Sequence, residues 1–116
     1  MKRKLRIAQI APLWFPIPPQ KYGGIERIAS FLTEELVKRG HQVTLFASGD
    51  SKTKAKLISV RPESLIKAGY NWQDPSWNLE NLSEAFSLAK NFDVIHSHLD
   101  LWALHFQNLT KVPVLH

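Results

Sequence analysis

Residues 6–11, Arg6-Ile7-Ala8-Gln9-Ile10-Ala11, lead into a proline-rich stretch from Pro12 to Tyr22, and that stretch delivers Gly23-Gly24 to the amphipathic segment 25–39. An apolar strand that runs through a long loop onto a glycine-opened helix start is how α/β proteins build a cradle for phosphates or sugars. The first N–H groups of such a helix have no intrahelical partners and carry partial positive charge. Glycine there removes the Cβ that would keep a ligand off the backbone. The first strand is therefore read as Leu5–Ala11, with the candidate site at its carboxyl end.

Working outward, Ile25, Ile28, Ala29, Leu32 and Leu36 recur at helical spacing and are expected to face a core, with Glu26, Arg27, Ser30, Glu34 and Lys38 turned away. Glu34 and Lys38 are spaced for an i,i+4 ion pair. Lys38 and Arg39 suit the negative helix end, and Gly40 stops the helix. Residues 41–47 (HQVTLFA) form the second strand, Ser48–Ser51 a turn, and Ala55–Val60 a shorter third strand. Residues 64–77 carry little pattern, and Pro75 breaks them. Helical spacing returns at Leu79, Leu82, Ala85, Phe86 and Ala89. Asp93–Ser97 (DVIHS) is another strand, Leu101–Leu109 a short helix, and Val112–Leu115 the start of a last strand.

Strands alternating with helices imply an α/β fold, a Rossmann-like parallel sheet flanked by helices with right-handed crossovers. At 116 residues the chain makes a single domain. Because it stops at His116, in or beside a strand, the expectation is a truncated domain. Cysteine is absent, which excludes disulfides and thiolate zinc sites. No stretch has the length of a spanning helix or the form of a secretory leader. The net charge of +5 is concentrated in Lys2, Arg3, Lys4 and Arg6 and in Lys52, Lys54 and Lys56. Ordinary surface charge accounts for it, and weak contact with an anionic membrane is the sharper alternative. Nucleic acid is not expected, because these lysines are not interleaved with stacking aromatics.

In a doubly wound sheet, ligands sit beyond the carboxyl ends of strands where the strand order reverses. If the first strand and Asp93–Ser97 are neighbours there, the Pro12–Gly24 loop meets Ser97-His98-Leu99-Asp100. His98, one step past its strand, is then placed to bond a ligand. His96, inside the strand, reads as a structural histidine, and His41 as a packing or capping one. There is no G-x-G-x-x-G and no Walker loop, so dinucleotide binding and P-loop hydrolysis lose ground. His96 and His98 lack the carboxylate–histidine company of a metal site, and no metal is expected. Among the aromatics Trp14, Phe15, Tyr22, Trp72, Trp77 and Trp102, the last reads as core. Trp14 and Tyr22 fit packing and ligand stacking equally. No nucleophile–base triad or carboxylate pair follows from spacing.

Three stretches taken together, MKRKLRIAQIAPLW, YGGIERIASFLTEELVKRGHQVTLFASGDS and FDVIHSHLD, resemble the N-terminal domain of family-4 glycosyltransferases of the two-domain GT-B type. The resemblance runs from about Leu5 to the end and is weakest over Arg61–Leu79. It implies the truncated N-terminal, acceptor-side half of a GT-B fold, with the C-terminal donor-binding domain absent. It implies retaining transfer of a sugar from a UDP- or GDP-linked nucleotide-sugar, without a cofactor or a required metal, to a sugar or lipid-linked acceptor. Gly23 and Gly24 would approach the donor diphosphate, Glu26 would brace the loop, and His98 would contact the transferred sugar as the catalytic residue. Trp14, Tyr22 and Asp100 would line the substrate site. The setting would be cytoplasmic, peripheral to the membrane at most. Without the other half the chain is expected to be inactive. A non-catalytic sugar- or nucleotide-binding module, or a subunit needing a separate donor-binding partner, is the alternative. A flavodoxin-like regulator fits the alternation but lacks acidic residues after the first strand.

Overall fold

The computed structural model describes residues 3–71, 74–99 and 101–116, so Lys2, Trp72 and Asp100, all named above, lie outside the described residues. Five parallel strands form one sheet in the order β3-β2-β1-β4-β5: β1 (Arg6–Ile10), β2 (Gln42–Phe46), β3 (Lys56–Ile58), β4 (Val94–Ser97) and β5 (Val114–Leu115). The chain leaves β1 toward β2 on one side and returns to β4 on the other. The strand order therefore reverses between β1 and β4, as the sequence implies. The helices are α1 (Gly24–Lys38), the single turn α2 (Leu65–Ala68) and α3 (Ser76–Ser87). Short 3₁₀ turns at Ala89–Asn91, Trp102–His105 and Gln107–Leu109 complete the connections.

Two cores cover the two sheet faces, as the two-residue strand period requires. Ala8, Ile10, Phe46 and Ile95 meet Leu82, Ala85 and Phe86 of α3 on one face, with Leu99 and Ala103 in the same cluster. Ala11, Leu45 and Ala47 meet Ala29 of α1 and Ile17 of the proline-rich loop on the other.

The inward face of α1 differs from the expected stripe. Ile25 is 44% exposed and Ile28 62%, whereas Glu26, Ala29, Ser30 and Thr33 are buried. Small side chains occupy the inward line, and the isoleucines ride on the flank. The expected Glu34–Lys38 pair is likewise replaced. Glu34 accepts from Thr53 Oγ1 and from the Lys54 backbone N–H, tying α1 to the approach to β3, and the i,i+4 pair is Glu35–Arg39 at 3.2 Å. His41 does cap: its Nδ1 accepts from the Leu5 N–H at 3.0 Å, ahead of β1.

Ser64 and Tyr70 in the patternless stretch before α3, and Trp77 at its start, are held by partners elsewhere in the chain. Asp50 accepts from Ser48 Oγ at 2.6 Å and from the Ser64 N–H at 3.0 Å, and these bonds hold its carboxyl below the usual range against the opposing effect of burial. The Arg61 guanidinium lies 4.7 Å from the ring centres of both Tyr70 and Trp77, clamping the segment by cation–π contact.

Candidate functional site

Beyond β1 the chain is locked. The Leu13 N–H donates to Asn78 Oδ1 at 2.9 Å, and the Leu13 and Trp14 carbonyls accept from the Leu65 and Ile66 N–H groups at 2.8 and 3.1 Å. The Ile17 N–H donates to Ser51 Oγ at 2.9 Å, and Ile17 itself is 1% exposed. Nearer α1, Arg27 Nη2 donates to the Lys21 carbonyl at 3.1 Å. Residues 12–22 are thus a shaped wall, and the wall ends at Gly23.

Gly23 has φ +115°, a left-handed conformation that favours glycine. Its carbonyl accepts the first helical bond, from the Arg27 N–H at 2.9 Å. A Cβ on Gly24 would meet nothing within 4 Å among the described residues, so the first helical residue presents open backbone to them. Glu26, in the first turn, is 5% exposed. Burial pushes its carboxyl above the usual range, against hydrogen bonds from its own and the Phe15 backbone N–H. The carboxyl thus reaches back from the helix to the loop at Phe15.

On the neighbouring strand, the His98 N–H donates to the Ile10 carbonyl at 2.9 Å, extending the β1–β4 ladder one step past Ser97. Ser97 Oγ accepts from the Leu99 N–H at 3.2 Å, and Leu99 is sunk in the core. The His98 backbone is therefore fixed on both sides. Its ring packs against His96, centroids 4.2 Å apart and planes tilted by 40°, and its Nε2 lies 2.6 Å from Oε1 of Gln9. Desolvation first, and the neighbouring His96 second, push the His98 pKa down to about 4. Burial also lowers that of His96. Both rings are neutral near pH 7, and His98 can exchange hydrogen bonds without carrying charge.

His98, Glu26 and Trp14 line one crevice of about 410 Å³, together with Ile25, Asn78 and Trp102 among others. It lies outside the carboxyl ends of β1 and β4, at the reversal of strand order. Aromatic walls with a few convergent polar groups are what a polyhydroxylated ligand needs. Gly23 and Gly24 immediately precede the lining residues Ile25 and Glu26. Tyr22 is placed elsewhere: 78% exposed, it borders a second cleft with Phe15, Lys21, Asp50, Ser64 and Lys67.

One sequence expectation, the core placement of Trp102, is corrected here. Trp102 is 40% exposed and lines the crevice, because its turn is 3₁₀ and brings Ala103 to the core instead. His96 is half-buried and faces a cavity of about 240 Å³ shared with His98, Ile25, Ile28 and His116. Gln9 went unread as a site residue, although an amide in the middle of an apolar parallel strand is itself a signal.

The profile described as Glycosyltransferase Family 4 matches residues 22–116. Among solved structures, AviGT4, a glycosyltransferase involved in avilamycin A biosynthesis, is 26% identical with a TM-score of 0.54 over 80% of this chain. The chain spans 25% of the length of that protein. An L-amino acid ligase from Bacillus licheniformis is 18% identical over 97% of this chain and 26% of its own, with a TM-score of 0.43 that supports no assignment. Among curated proteins, no sequence matches significantly.

Proposed function

The chain belongs to glycosyltransferase family 4, and on that footing we propose that it is the N-terminal, acceptor-side half of a retaining two-domain transferase. Such an enzyme moves a sugar from a nucleotide-sugar donor to a sugar or lipid-linked acceptor. The observation that carries this reading is the crevice at the β1–β4 reversal, where the neutral His98 ring faces the first turn of α1 across a gap walled by Trp14 and Trp102.

In this reading the open backbone at Gly24 and the positive end of α1 meet the donor diphosphate, so no metal is called on to offset its charge. Glu26 holds the loop that shapes the approach. His98 bonds the transferred sugar near the reacting carbon, and Trp14 packs against it. Asp100, which follows the same strand, belongs to the substrate site by position in the sequence. The acceptor enters along the proline-rich loop, with Tyr22, Lys21 and Lys67 bordering its cleft. A donor-binding second half supplies the nucleotide contacts and closes over the crevice to exclude water. Because the chain spans a quarter of AviGT4, we propose that these 116 residues alone do not turn over.

No helix of the described residues is long and apolar enough to cross a membrane. We place the reaction in the cytoplasm, where the exposed Lys52, Lys54 and Lys56 would give weak attraction to an anionic surface.

The test is transfer from UDP- and GDP-sugars by the protein joined to its donor-binding half. His98→Ala should lower transfer about ten-fold or more, the worth of one lost hydrogen bond of roughly 1.4 kcal/mol, with the variant still folded at the assay temperature. Unaltered turnover removes His98 from the site. Donor binding without any transfer would favour a non-catalytic binding module, and robust transfer by the isolated chain would refute the requirement for a second half.

A further inference from the structure

Gln9 is the one amide in β1, a strand otherwise made of Arg6, Ile7, Ala8 and Ile10, and it is 1% exposed. An apolar residue would suit that position better, since burying an amide costs free energy unless its hydrogen bonds are remade inside. Gln9 lies on the sheet face that carries α1, in register with His96, and its Oε1 is 2.6 Å from Nε2 of His98. Three side chains from two neighbouring strands, Gln9, His96 and His98, thus form a contiguous polar strip. The strip leads from the middle of the sheet to the crevice at its rim.

From this geometry we infer that Gln9 is the positioning residue for His98: its carbonyl takes the Nε2 proton, holds the ring against His96, and leaves the lone pair on Nδ1 for a hydroxyl of the bound sugar. The inference rests on the sugar-site reading above and deepens it, because it fixes which hydrogen-bonding role His98 can play. A neutral imidazole has one donor and one acceptor nitrogen, and the partner of the first decides the identity of the second. With Gln9 accepting at Nε2, His98 meets the ligand as an acceptor, and the site favours sugars that present a hydroxyl there over deoxy analogues. Gln9 has no contact with substrate in this arrangement; it acts through the ring. Among the described residues, the other titratable groups around the ring are His96 packed against it, Glu26 and Asp74 lining the same crevice, and His116 in the adjoining cavity.

The experiment is nitrogen NMR of the histidine-labelled chain, which reads the protonated nitrogen and the titration of each ring without any turnover. The wild-type chain should show His98 protonated at Nε2, with that proton in slow exchange. Gln9→Leu should abolish the slow exchange. Gln9→Glu, which keeps the shape and an acceptor oxygen, should retain it and raise the His98 titration midpoint by at least one pH unit, a ten-fold gain in proton affinity, with a smaller change at His96. Protonation at Nδ1 in the wild type, or identical His98 behaviour in both folded variants, overturns the inference. Should Gln9→Leu fail to fold, the near-isosteric Gln9→Glu decides alone on the same criterion. Adding UDP-glucose or GDP-mannose to the protein joined to its donor-binding half separates the two readings. A shift at His98 Nδ1 supports both. An intact Gln9–His98 coupling with no response to either sugar nucleotide sinks the sugar site while leaving the hydrogen bond in place.

Discussion

A Cβ placed on Gly23 would stand 3.0 Å from Oε1 of Glu26, and equally close to the Phe15 ring. The left-handed glycine, the buried carboxylate and the loop aromatic are therefore one packed unit at the mouth of the crevice. A Cβ on Gly24, its neighbour, would meet nothing within 4 Å among the described residues. The two glycines differ, the first closely packed and the second open. Gly23→Ala should destabilise the chain by about 1–3 kcal/mol through backbone strain and crowding, read as a lower urea midpoint. Gly24→Ala should leave stability unchanged or raise it by up to about 1 kcal/mol. Gly24→Val should weaken donor binding in the protein joined to its second half. Equal losses from both alanine variants would remove the distinction.

The flank of α1 gives a second contrast. Ile28 and Phe31 are 62% and 73% exposed, while Ala29 and Thr33 are fully buried. Ile28→Gln should change stability by no more than about 0.5 kcal/mol, as surface substitutions do. Ala29→Leu forces three heavy atoms into the cluster of Ala11, Ile17, Leu45 and Ala47 and should cost about 1–3 kcal/mol. Thermal unfolding of the two variants decides which line of the helix faces inward.

That contrast shows where sequence reading reaches and where it stops. The strands were legible because Ile7–Ile10, Val43–Phe46 and Val94–Ile95 are short apolar runs bounded by turn residues. Their order placed His98 beside the helix start once β1 and β4 were taken as neighbours. Periodicity also found α1 and ended it at Gly40, yet it set the helix rotation wrongly. The inward line is small and partly polar (Glu26, Ala29, Ser30, Thr33), chosen by how closely the helix approaches the sheet, which hydrophobicity does not encode. Gln9 escaped because its meaning lies in a partner 89 residues away. The segment around Arg61 escaped for the same reason: the Asp50 hydrogen bonds and two aromatic rings hold it, and none leaves a local pattern.

Asn81 supplies a third test. From α3 its Nδ2 donates to the Ala11 carbonyl at 3.0 Å and to the Phe46 carbonyl at 3.1 Å, pinning the carboxyl ends of β1 and β2 in a site with no solvent exposure. Asn81→Leu should cost about 1–3 kcal/mol by leaving buried acceptors short of a donor. Asn81→Asp should cost more, because it sets a carboxylate against two carbonyl oxygens and must bury a charge or take up a proton. The ordering of the two urea midpoints is the measurement: a Leu variant as stable as the wild type would show that the donor role is minor, and an Asp variant as stable as the Leu variant that the carboxyl is accommodated at little cost.

The crevice also writes itself into the pH dependence of stability, with two opposing signs. The His98 pKa falls from 6.5 to about 4 on folding, so between those values the unfolded chain binds the extra proton. Its contribution is complete above pH 6.5 and is lost as the pH falls toward 4. Glu26 is raised from 4.5 by burial. There the folded chain binds the extra proton, and its contribution, complete below 4.5, is lost as the pH rises through the folded-state value. Asp93 lies lower: its pKa is held at about 2, chiefly by hydrogen bonds from Arg6, so its contribution is lost only between 3.8 and 2. Urea midpoints measured from pH 4 to 7 should therefore rise more steeply with pH in Glu26→Gln than in the wild type, and less steeply in His98→Gln. Parallel curves for the wild type and His98→Gln would mean that the ring accepts a proton on the rim as readily as it does in water, and that the crevice is wetter than its walls imply.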